Sequence, residues 1–240
     1  LLHDYNKKKI SKYATDFWAC SSSAANWFYN KDLASKVVII KNAIDLDRVK
    51  FSKNKRKQLR NKYSLDGNLV IGNIGRLHFQ KNQMFSLEIL SNMLKQDPKI
   101  KMIFVGAGPD KEKLIQRTKE LKIEKNVIFT GVQKDISGWL STFDVFLFPS
   151  KFEGLPIAGL EAQGNGLPIV ASRNAIPKEA VLNNNVKVLS LNDTISAWSN
   201  VINESSRLDR INSDIIKTNF EKTGYEINTA APGLEAKFSN

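Results

Sequence analysis

The chain has 240 residues, of which 42% are hydrophobic, enough for the buried core of one large domain or of one domain with part of another. No apolar run reaches the roughly eighteen residues that a membrane-spanning helix needs. The single cysteine, Cys20, excludes an internal disulfide and fits a reducing compartment.

The net charge of +12 is concentrated near the start of the chain. Residues 1–62 carry +10 and the remainder carries +2. A nucleic-acid-binding domain more often spreads its basic face over its fold, so this distribution argues against nucleic acid as a partner. The segment 52–62 has helical spacing and is interpreted first as a solvated helix. The alternative is attraction to an anionic membrane leaflet or a polyanionic substrate.

The leading segment shows mixed secondary-structure signals. Residues 1–18 have the spacing of a helix, 17–20 and 37–40 resemble short strands, and Ser23 is a suitable N-cap for a helix between those strands. These are too few strands for a separate sheet. We therefore expect residues 1–40 to be the tail end of a preceding domain, followed by a linker.

From residue 67 the pattern becomes regular, with apolar strands alternating with amphipathic helices. The predicted strands are 69–74, 102–105, 127–129, 145–148, 168–171 and 186–189. Such alternation predicts a parallel sheet covered on both faces, so the expected fold class is α/β with a doubly wound parallel sheet. The predicted segments are 1–40, a linker with a basic helix at 41–66, the sheet domain at 67–205, and C-terminal helices at 206–240.

The stretch 146–172 places acidic residues at one edge of this sheet. A strand stops at Pro149, a loop carries Glu153 and Gly154, and Glu161 follows inside a helix whose first turn suits Pro156. In open parallel sheets, ligands bind at the carboxyl ends of strands, where this loop lies. The alternative is a surface loop with two incidental glutamates.

Two further loops open at the same edge. In the first, at 72–82, Gly75 allows close backbone approach, and Arg76 and Lys81 place two cations at the mouth of a helix. Cations beside a helix N-terminus suit a diphosphate. The second contains Gly106 and Gly108, whose spacing permits a tight turn and is weak evidence by itself.

The glycine and acidic patterns do not fit two common ligands. A Rossmann dinucleotide site needs G-x-G-x-x-G, but Gly106 and Gly108 are followed by Pro-Asp-Lys. Asp45 and Asp47 form a D-x-D pair that can chelate a divalent cation. Because this pair lies in the linker before a basic helix, helix capping or solvation is the favoured interpretation.

Several motifs recur, in this order, in one known family. The pair Glu153 and Glu161, with seven residues between them, resembles the E-x7-E motif of retaining GT-B glycosyltransferases, and the chain is most similar to family 4, of the capsule and exopolysaccharide type. The other motifs are KNAIDLDRVKF (41–51), GRL…QKNQ (75–83), VGAGP (105–109), DVFLFPS (144–150), GLPIVAS (166–172) and IPKEA (176–180).

The resemblance implies that 67–205 is a nucleotide-sugar donor-binding domain. Arg76 and Lys81 would hold the diphosphate, together with backbone groups at Gly154 and Leu155, and Glu153 would contact the sugar ring near the reacting carbon. Fixed cations and amides oppose the charge that develops on a leaving phosphate.

The nucleoside would be held by other parts of the same edge. By the same resemblance, Glu161 would accept hydrogen bonds from the ribose hydroxyls, the backbone at Val132 and Gln133 would pair with the base, and Gly75 would admit the donor. The donor would be a nucleotide-diphosphate sugar, UDP-linked, with no metal and no further cofactor.

The implied reaction is transfer of a hexose, with retention of configuration, to a glycan or lipid-linked acceptor. The enzyme is expected to be cytoplasmic, and the charge of its basic N-terminal segment suggests peripheral contact with the inner face of the membrane. Most of the family's N-terminal acceptor domain is absent, so this chain alone is expected to bind donor without turnover. The alternatives are a non-catalytic nucleotide-sugar binding or regulatory module and a basic polyanion-binding protein.

Overall fold

The structure is a computed structural model that describes residues 9, 10 and 12–238. In chain order its strands are β1 Trp18–Ala19, β2 Val38–Ile39, β3 Val70–Ile74, β4 Lys101–Val105, β5 Val127–Gly131, β6 Val145–Phe148, β7 Ile169–Ser172 and β8 Val186–Leu189. Its helices are α1 Ser22–Phe28, α2 Lys31–Ala34, α3 Leu46–Val49, α4 Lys53–Lys62, α5 Gln83–Met93, α6 Lys111–Leu121, α7 Ile136–Thr142, α8 Ile157–Gly164, α9 Ile195–Ser205, α10 Ser213–Thr223 and α11 Ile227–Phe238.

Six of the strands form one parallel sheet in the order β5-β4-β3-β6-β7-β8. The α/β doubly wound fold class is confirmed. The order reverses between β3 and β6, and in such sheets the crevice at the reversal is where ligands bind. The two loops that carry Lys81 and Glu153 leave these two strands.

Alternation along the strands explains why both faces are covered. In β6, Phe146 and Phe148 belong to one core cluster, whereas Val145 and Leu147 belong to the other, and all four are fully buried. Successive side chains of a strand point to opposite faces. An uninterrupted apolar strand therefore supplies two cores, one under the helices on each face.

The N-terminal part of the described chain forms a small βαβ arrangement. β1 and β2 pair in parallel, and α1 and α2 lie between them in sequence. The N-cap of α1 is Ser21 and not Ser23, because the Ser21 hydroxyl accepts the Ala24 N–H. Of the helix predicted at 1–18, residues 1–8 and 11 lie outside the described residues.

The predicted linker packs against α8 and also forms backbone hydrogen bonds with residues 225 and 227. Gly164 of α8 admits α3, since a Cβ there would lie 2.9 Å from Cγ2 of Val49. Ile44 donates its N–H to the Tyr225 carbonyl and accepts the N–H of Ile227, both across about 180 positions of sequence. The linker thus joins the sheet domain to the C-terminal helix α11. The boundaries between the four predicted segments stay a prediction.

The basic segment 52–62 was predicted to be a solvated helix, but part of it has a structural role. Arg56 and Arg60 of α4, with Arg210, form an arginine cluster that donates hydrogen bonds to carbonyl groups of residues 140–143 at the C-terminal end of α7. Cations are stabilising there because the helix dipole is negative at its C-terminus. Burial and the nearby Arg56 lower the pKa of Arg210. The solvated-helix interpretation is therefore wrong for Arg56 and Arg60.

Asp144 is the anion of this cluster. Its Oδ1 lies 2.5 Å from Nη2 of Arg56, and its Oδ2 lies 3.3 Å from Nη1 of Arg60 and accepts the Val70 N–H at the start of β3. The carboxylate thus ties the basic helix to the first strand of the sheet.

Among the described helices, none combines the length and the apolar character needed to cross a lipid bilayer. Lys53, Lys57 and Lys62 remain on the exposed side of α4. The membrane contact predicted for the basic N-terminal segment stays a prediction, since residues 1–8 and 11 belong to that segment and are outside the described ranges.

Asp144→Asn should lower the free energy of unfolding by about 2–4 kcal/mol, because it leaves two largely buried guanidinium groups without their anion. Urea titration measures the change. The matched control is Asp135→Asn. The ion pair of Asp135 with Lys55 is half exposed, and an asparagine at this position can still cap α7. This variant should therefore lose less than about 1 kcal/mol of unfolding free energy. Equal losses in the two variants would contradict the role of Asp144.

Candidate functional site

Two glycine-containing loops dock backbone to backbone at the carboxyl edge of the sheet. A Cβ on Gly106 would lie 2.0 Å from the Gly75 carbonyl oxygen, and one on Gly108 would lie 2.2 Å from the Leu77 carbonyl oxygen. The Leu77 N–H also donates to the Ala107 carbonyl at 3.0 Å. Both glycines are therefore required for loop packing, which explains their spacing without any bound phosphate.

An ion pair joins the first loop, at 72–82, to the loop that carries Glu153. Nζ of Lys81 lies 2.7 Å from Oε1 of Glu153, and the two side chains are only 17% and 7% exposed. Gln80 donates from Nε2 to Oε2 of Glu153 at 3.3 Å and to the Phe152 carbonyl at 2.9 Å. The ring of Phe148 lies 5.2 Å from the same ammonium group. A fixed cation and a fixed carboxylate therefore stand side by side at the crevice.

The turn that presents Lys81 is held at both ends. Asn82 adopts the left-handed conformation, with φ of 57°, and donates to the Pro149 carbonyl at 3.2 Å. Asparagine tolerates this conformation better than most residues. Gly75 also has positive φ, and a Cβ there would lie 3.2 Å from Cε of Lys81. Gly75 thus leaves room for the lysine stem.

Arg76 is fixed through its backbone only. Its carbonyl accepts Nε2 of the buried Gln83 at 3.0 Å, whereas its side chain is exposed and its guanidinium has no ion-pair or hydrogen-bond partner in the described part of the chain. The structure brings Lys81 and Glu153 into contact and leaves Arg76, on the same loop as Lys81, outside their pair.

Helix α8 begins with unsatisfied amides. The N–H groups of Leu155, Ala158 and Gly159 have no acceptor within the described ranges, and Pro156 has no N–H. Unpaired amides at a helix N-terminus, together with the helix dipole, attract anions. The Gly154 carbonyl, one residue earlier, accepts the Ser21 hydroxyl at 2.9 Å.

Glu161 lies further along α8 and is half-buried. No hydrogen-bond donor contacts its carboxyl group in the part of the chain that the structure describes, and burial raises the pKa of this group. A desolvated carboxylate without a donor is a strong acceptor for ligand hydroxyls.

The residues predicted to face a base lie at the end of β5. Val132 is 78% exposed, and the Gln133 side chain donates to the Thr130 carbonyl at 2.8 Å. The backbone N–H and C=O groups of Val132 and Gln133 have no partner among the described residues. They are available to a ligand, although neither residue contacts the ion pair.

A cleft of about 870 Å³ opens beside Glu153, a size that is usual for small-molecule sites. Its wall combines Lys151, Phe152 and Gly154 of the same loop with residues from elsewhere in the sequence: Ser23, Ala24, Trp27, Gln80, Arg173, Asn174 and Pro177. Sequence reasoning missed Gln80, although it stands in the QKN motif beside Lys81. The contributions of α1 and Arg173 carried no local signal, since only the tertiary fold brings them to the cleft.

The linker acidic pair has a structural role. Asp45 caps α3, accepting the N–H groups of Asp47 and Arg48, and also pairs with Arg48. The capping interpretation is confirmed. Within the described residues, no three His, Cys, Asp or Glu side chains are grouped closely enough to hold a metal ion.

Residues 55–222 match the family described as glycosyl transferases group 1. The chain belongs to this family. The putative glycosyltransferase EpsF of Bacillus subtilis (strain 168) is 28% identical over 225 residues, which are 92% of this chain and 58% of EpsF. An Escherichia coli UDP-Gal:alpha-D-GlcNAc-diphosphoundecaprenol alpha-1,3-galactosyltransferase is 31% identical over 57% of this chain and 36% of its own length.

Solved structures confirm the fold. The crystal structure of HepE from Anabaena, in complex with UDP and glucose, superposes with a TM-score of 0.84 at 20% identity, covering 99% of this chain and 66% of HepE. The Rossmann-like α/β domain expected for a GT-B glycosyltransferase is therefore confirmed. The chain spans a little more than half the length of EpsF.

Glu161→Gln should raise the free energy of unfolding at neutral pH. Burial raises the pKa of Glu161 in the folded state, so stability falls as pH rises from the ordinary carboxyl pKa of about 4.3 through the raised value. The free energy of unfolding of the glutamine variant should not show this decrease with pH. Urea titrations at several pH values measure it.

The matched control is Glu120→Gln on α6. Hydrogen bonds from Arg117 and Gln116 lower the pKa of Glu120, so its contribution to stability is present at neutral pH and disappears as pH falls. The two variants should therefore shift the pH dependence in opposite directions. A Glu161→Gln variant that is less stable than the wild type at neutral pH would contradict the assignment.

Proposed function

We propose that this chain is the donor-binding part of a glycosyltransferase that moves a hexose from a UDP-sugar to a glycan or lipid-linked acceptor. The observation that carries the proposal is the ion pair of Lys81 and Glu153 beside the unpaired amides at the start of α8. A diphosphate requires fixed positive groups, and a sugar ring requires a fixed hydrogen-bond acceptor.

The diphosphate would bind the amides of Leu155, Ala158 and Gly159 together with Arg76. The ammonium group of Lys81 has three N–H bonds, so it can keep Glu153 and also donate to a phosphate oxygen. These groups are in place before the reaction. They therefore stabilise the negative charge that develops on the departing diphosphate, and the protein does not have to reorganise.

In the transfer step, the bond between the anomeric carbon and the phosphate oxygen breaks while the acceptor oxygen bonds to the same carbon. The acceptor proton passes to the departing diphosphate. Glu153 is engaged by Lys81 and Gln80, which suits a carboxylate that orients sugar hydroxyls better than one that attacks carbon. This supports attack from the leaving-group face, with retention.

The nucleoside end would follow the same edge of the sheet. The unpartnered carboxylate of Glu161 would accept the ribose hydroxyls, and the free backbone groups of Val132 and Gln133 would pair with the base. Uracil is proposed because HepE binds UDP and the E. coli relative uses UDP-Gal. The reaction is proposed to need no metal, since protein cations and amides supply the positive charge.

For the acceptor and the cellular location, the proposal names only a class of molecule and a compartment. The chain covers 58% of EpsF, so the acceptor is proposed from the E. coli relative, whose substrate is a lipid-linked diphosphate sugar. An undecaprenol carrier is membrane-bound, which fits a cytoplasmic enzyme in peripheral contact with the membrane surface through its basic N-terminal segment.

Calorimetry with UDP should detect binding to the wild-type chain. Lys81→Ala and Glu161→Ala should each weaken it by about tenfold or more, because each removes a charged hydrogen-bonding group. The control is Lys217→Ala, an exposed lysine of α10 whose loss should leave binding unchanged.

Equal affinity of all these variants would refute the assigned donor site. Parallel titrations with GDP test the base. Stronger binding of GDP than of UDP would refute uracil while leaving the site in place.

UDP affinity should be the same in EDTA and in millimolar Mg²⁺ or Mn²⁺. A metal-dependent site would bind the diphosphate through the cation, so chelation would abolish binding. A tenfold or larger loss in EDTA would overturn the metal-independent reaction while leaving the protein residues as candidates.

A further inference from the structure

One contact joins the N-terminal segment directly to the candidate donor loop. The Ser21 hydroxyl donates to the Gly154 carbonyl at 2.9 Å, across 133 positions of sequence. Ser21 is 2% exposed, and its oxygen also accepts the Ala24 N–H at 3.1 Å. A hydroxyl has one proton and two lone pairs, so this second bond leaves the proton for Gly154.

The contact fixes the orientation of a peptide group in the loop. The Gly154 carbonyl and the Leu155 N–H belong to the same trans peptide, so they point in opposite directions. The hydroxyl of Ser21 is the sole partner of this carbonyl in the described part of the chain. Ser21 therefore also determines where the unpaired Leu155 N–H points.

The Gly154 side of this peptide is open, whereas the Leu155 side chain packs against the hydrophobic core. Gly154 is exposed, and a Cβ built on it would meet no atom within 4 Å apart from its chain neighbours, so the space around its Cα is open. A glycine in open space samples many conformations. Without the Ser21 bond, the peptide would have to be ordered when the ligand binds, and that ordering weakens affinity.

We propose that Ser21 is a positioning residue of the donor site, which aims the Leu155 N–H at the diphosphate by holding the Gly154 carbonyl. This inference rests on the proposed function, because it takes the α8 amides as the diphosphate site. It also makes donor affinity depend on the N-terminal segment, although that segment contributes no group to the diphosphate itself.

The test separates the diphosphate from the rest of the nucleotide. Affinities of the 240-residue chain for UDP and for uridine are measured by ligand-observed NMR titration. Ser21→Ala should lower the affinity for UDP by about 3- to 10-fold, which is the range expected for one neutral hydrogen bond. The affinity for uridine should stay unchanged. Ser21→Thr keeps the hydroxyl and should retain UDP affinity.

Two controls distinguish positioning from loss of structure. Ser21→Ala also removes the N-cap of α1, so Asn30→Ala, which removes the N-cap of the neighbouring α2, provides a matched loss that does not touch the donor loop. Thr194→Ala removes the N-cap of α9, where the threonine hydroxyl accepts the Ala197 N–H, and provides a second capping loss outside the donor loop. Neither should alter the ratio of UDP to uridine affinity.

The outcomes are distinct. The inference is overturned if Ser21→Ala binds UDP like the wild type, if it weakens uridine equally, if Asn30→Ala shows the same loss, or if the threonine variant fails to restore affinity. A wild-type chain that binds neither UDP nor GDP overturns the proposed donor site, and the inference with it.

Discussion

The ion pair between Lys81 and Glu153 is the interaction on which the site depends. Both side chains are nearly buried. Removing two charges from water costs several kcal/mol, and the attraction between the charges roughly offsets that cost. An apolar pair of similar shape would serve the fold equally well. Stability alone therefore does not explain the pair, whereas the proposed donor site gives it a role. It holds a cation and a carboxylate in fixed positions between the loops that leave β3 and β6, before any ligand arrives.

Glycines set how closely the surrounding loops approach that pair. Gly106 and Gly108 let the second loop lie against the first through backbone atoms alone, and Gly75 leaves space for the stem of Lys81. The first loop is thereby supported from behind by the second. Its cation can then be held on a turn without a layer of side chains, which keeps the crevice open to solvent and to ligand.

The fold could be predicted from sequence because its signals are local. Runs such as Val145–Phe148 are buried on both faces, and a strand of that kind is recognisable by its apolar continuity. Lys81 and Glu153 were each predicted, but their pairing was not, because contact between loops 72 positions apart depends on strand order. For the same reason Ser21 was missed, although a serine three residues before the Ala24 amide is a local N-cap signal.

The basic N-terminal region shows how far composition can mislead. Its net charge of +10 suggested an electrostatic surface, yet Arg56 and Arg60 are committed to Asp144 and to the end of α7, and Lys55 is paired with Asp135. The charge that remains exposed on α4 is therefore smaller than the sequence count. The guanidinium that we propose for the diphosphate, that of Arg76, is exposed and lies in residues 63–240, whose net charge is only +2. For the proposed donor site, position at the sheet edge is therefore a better guide than total charge.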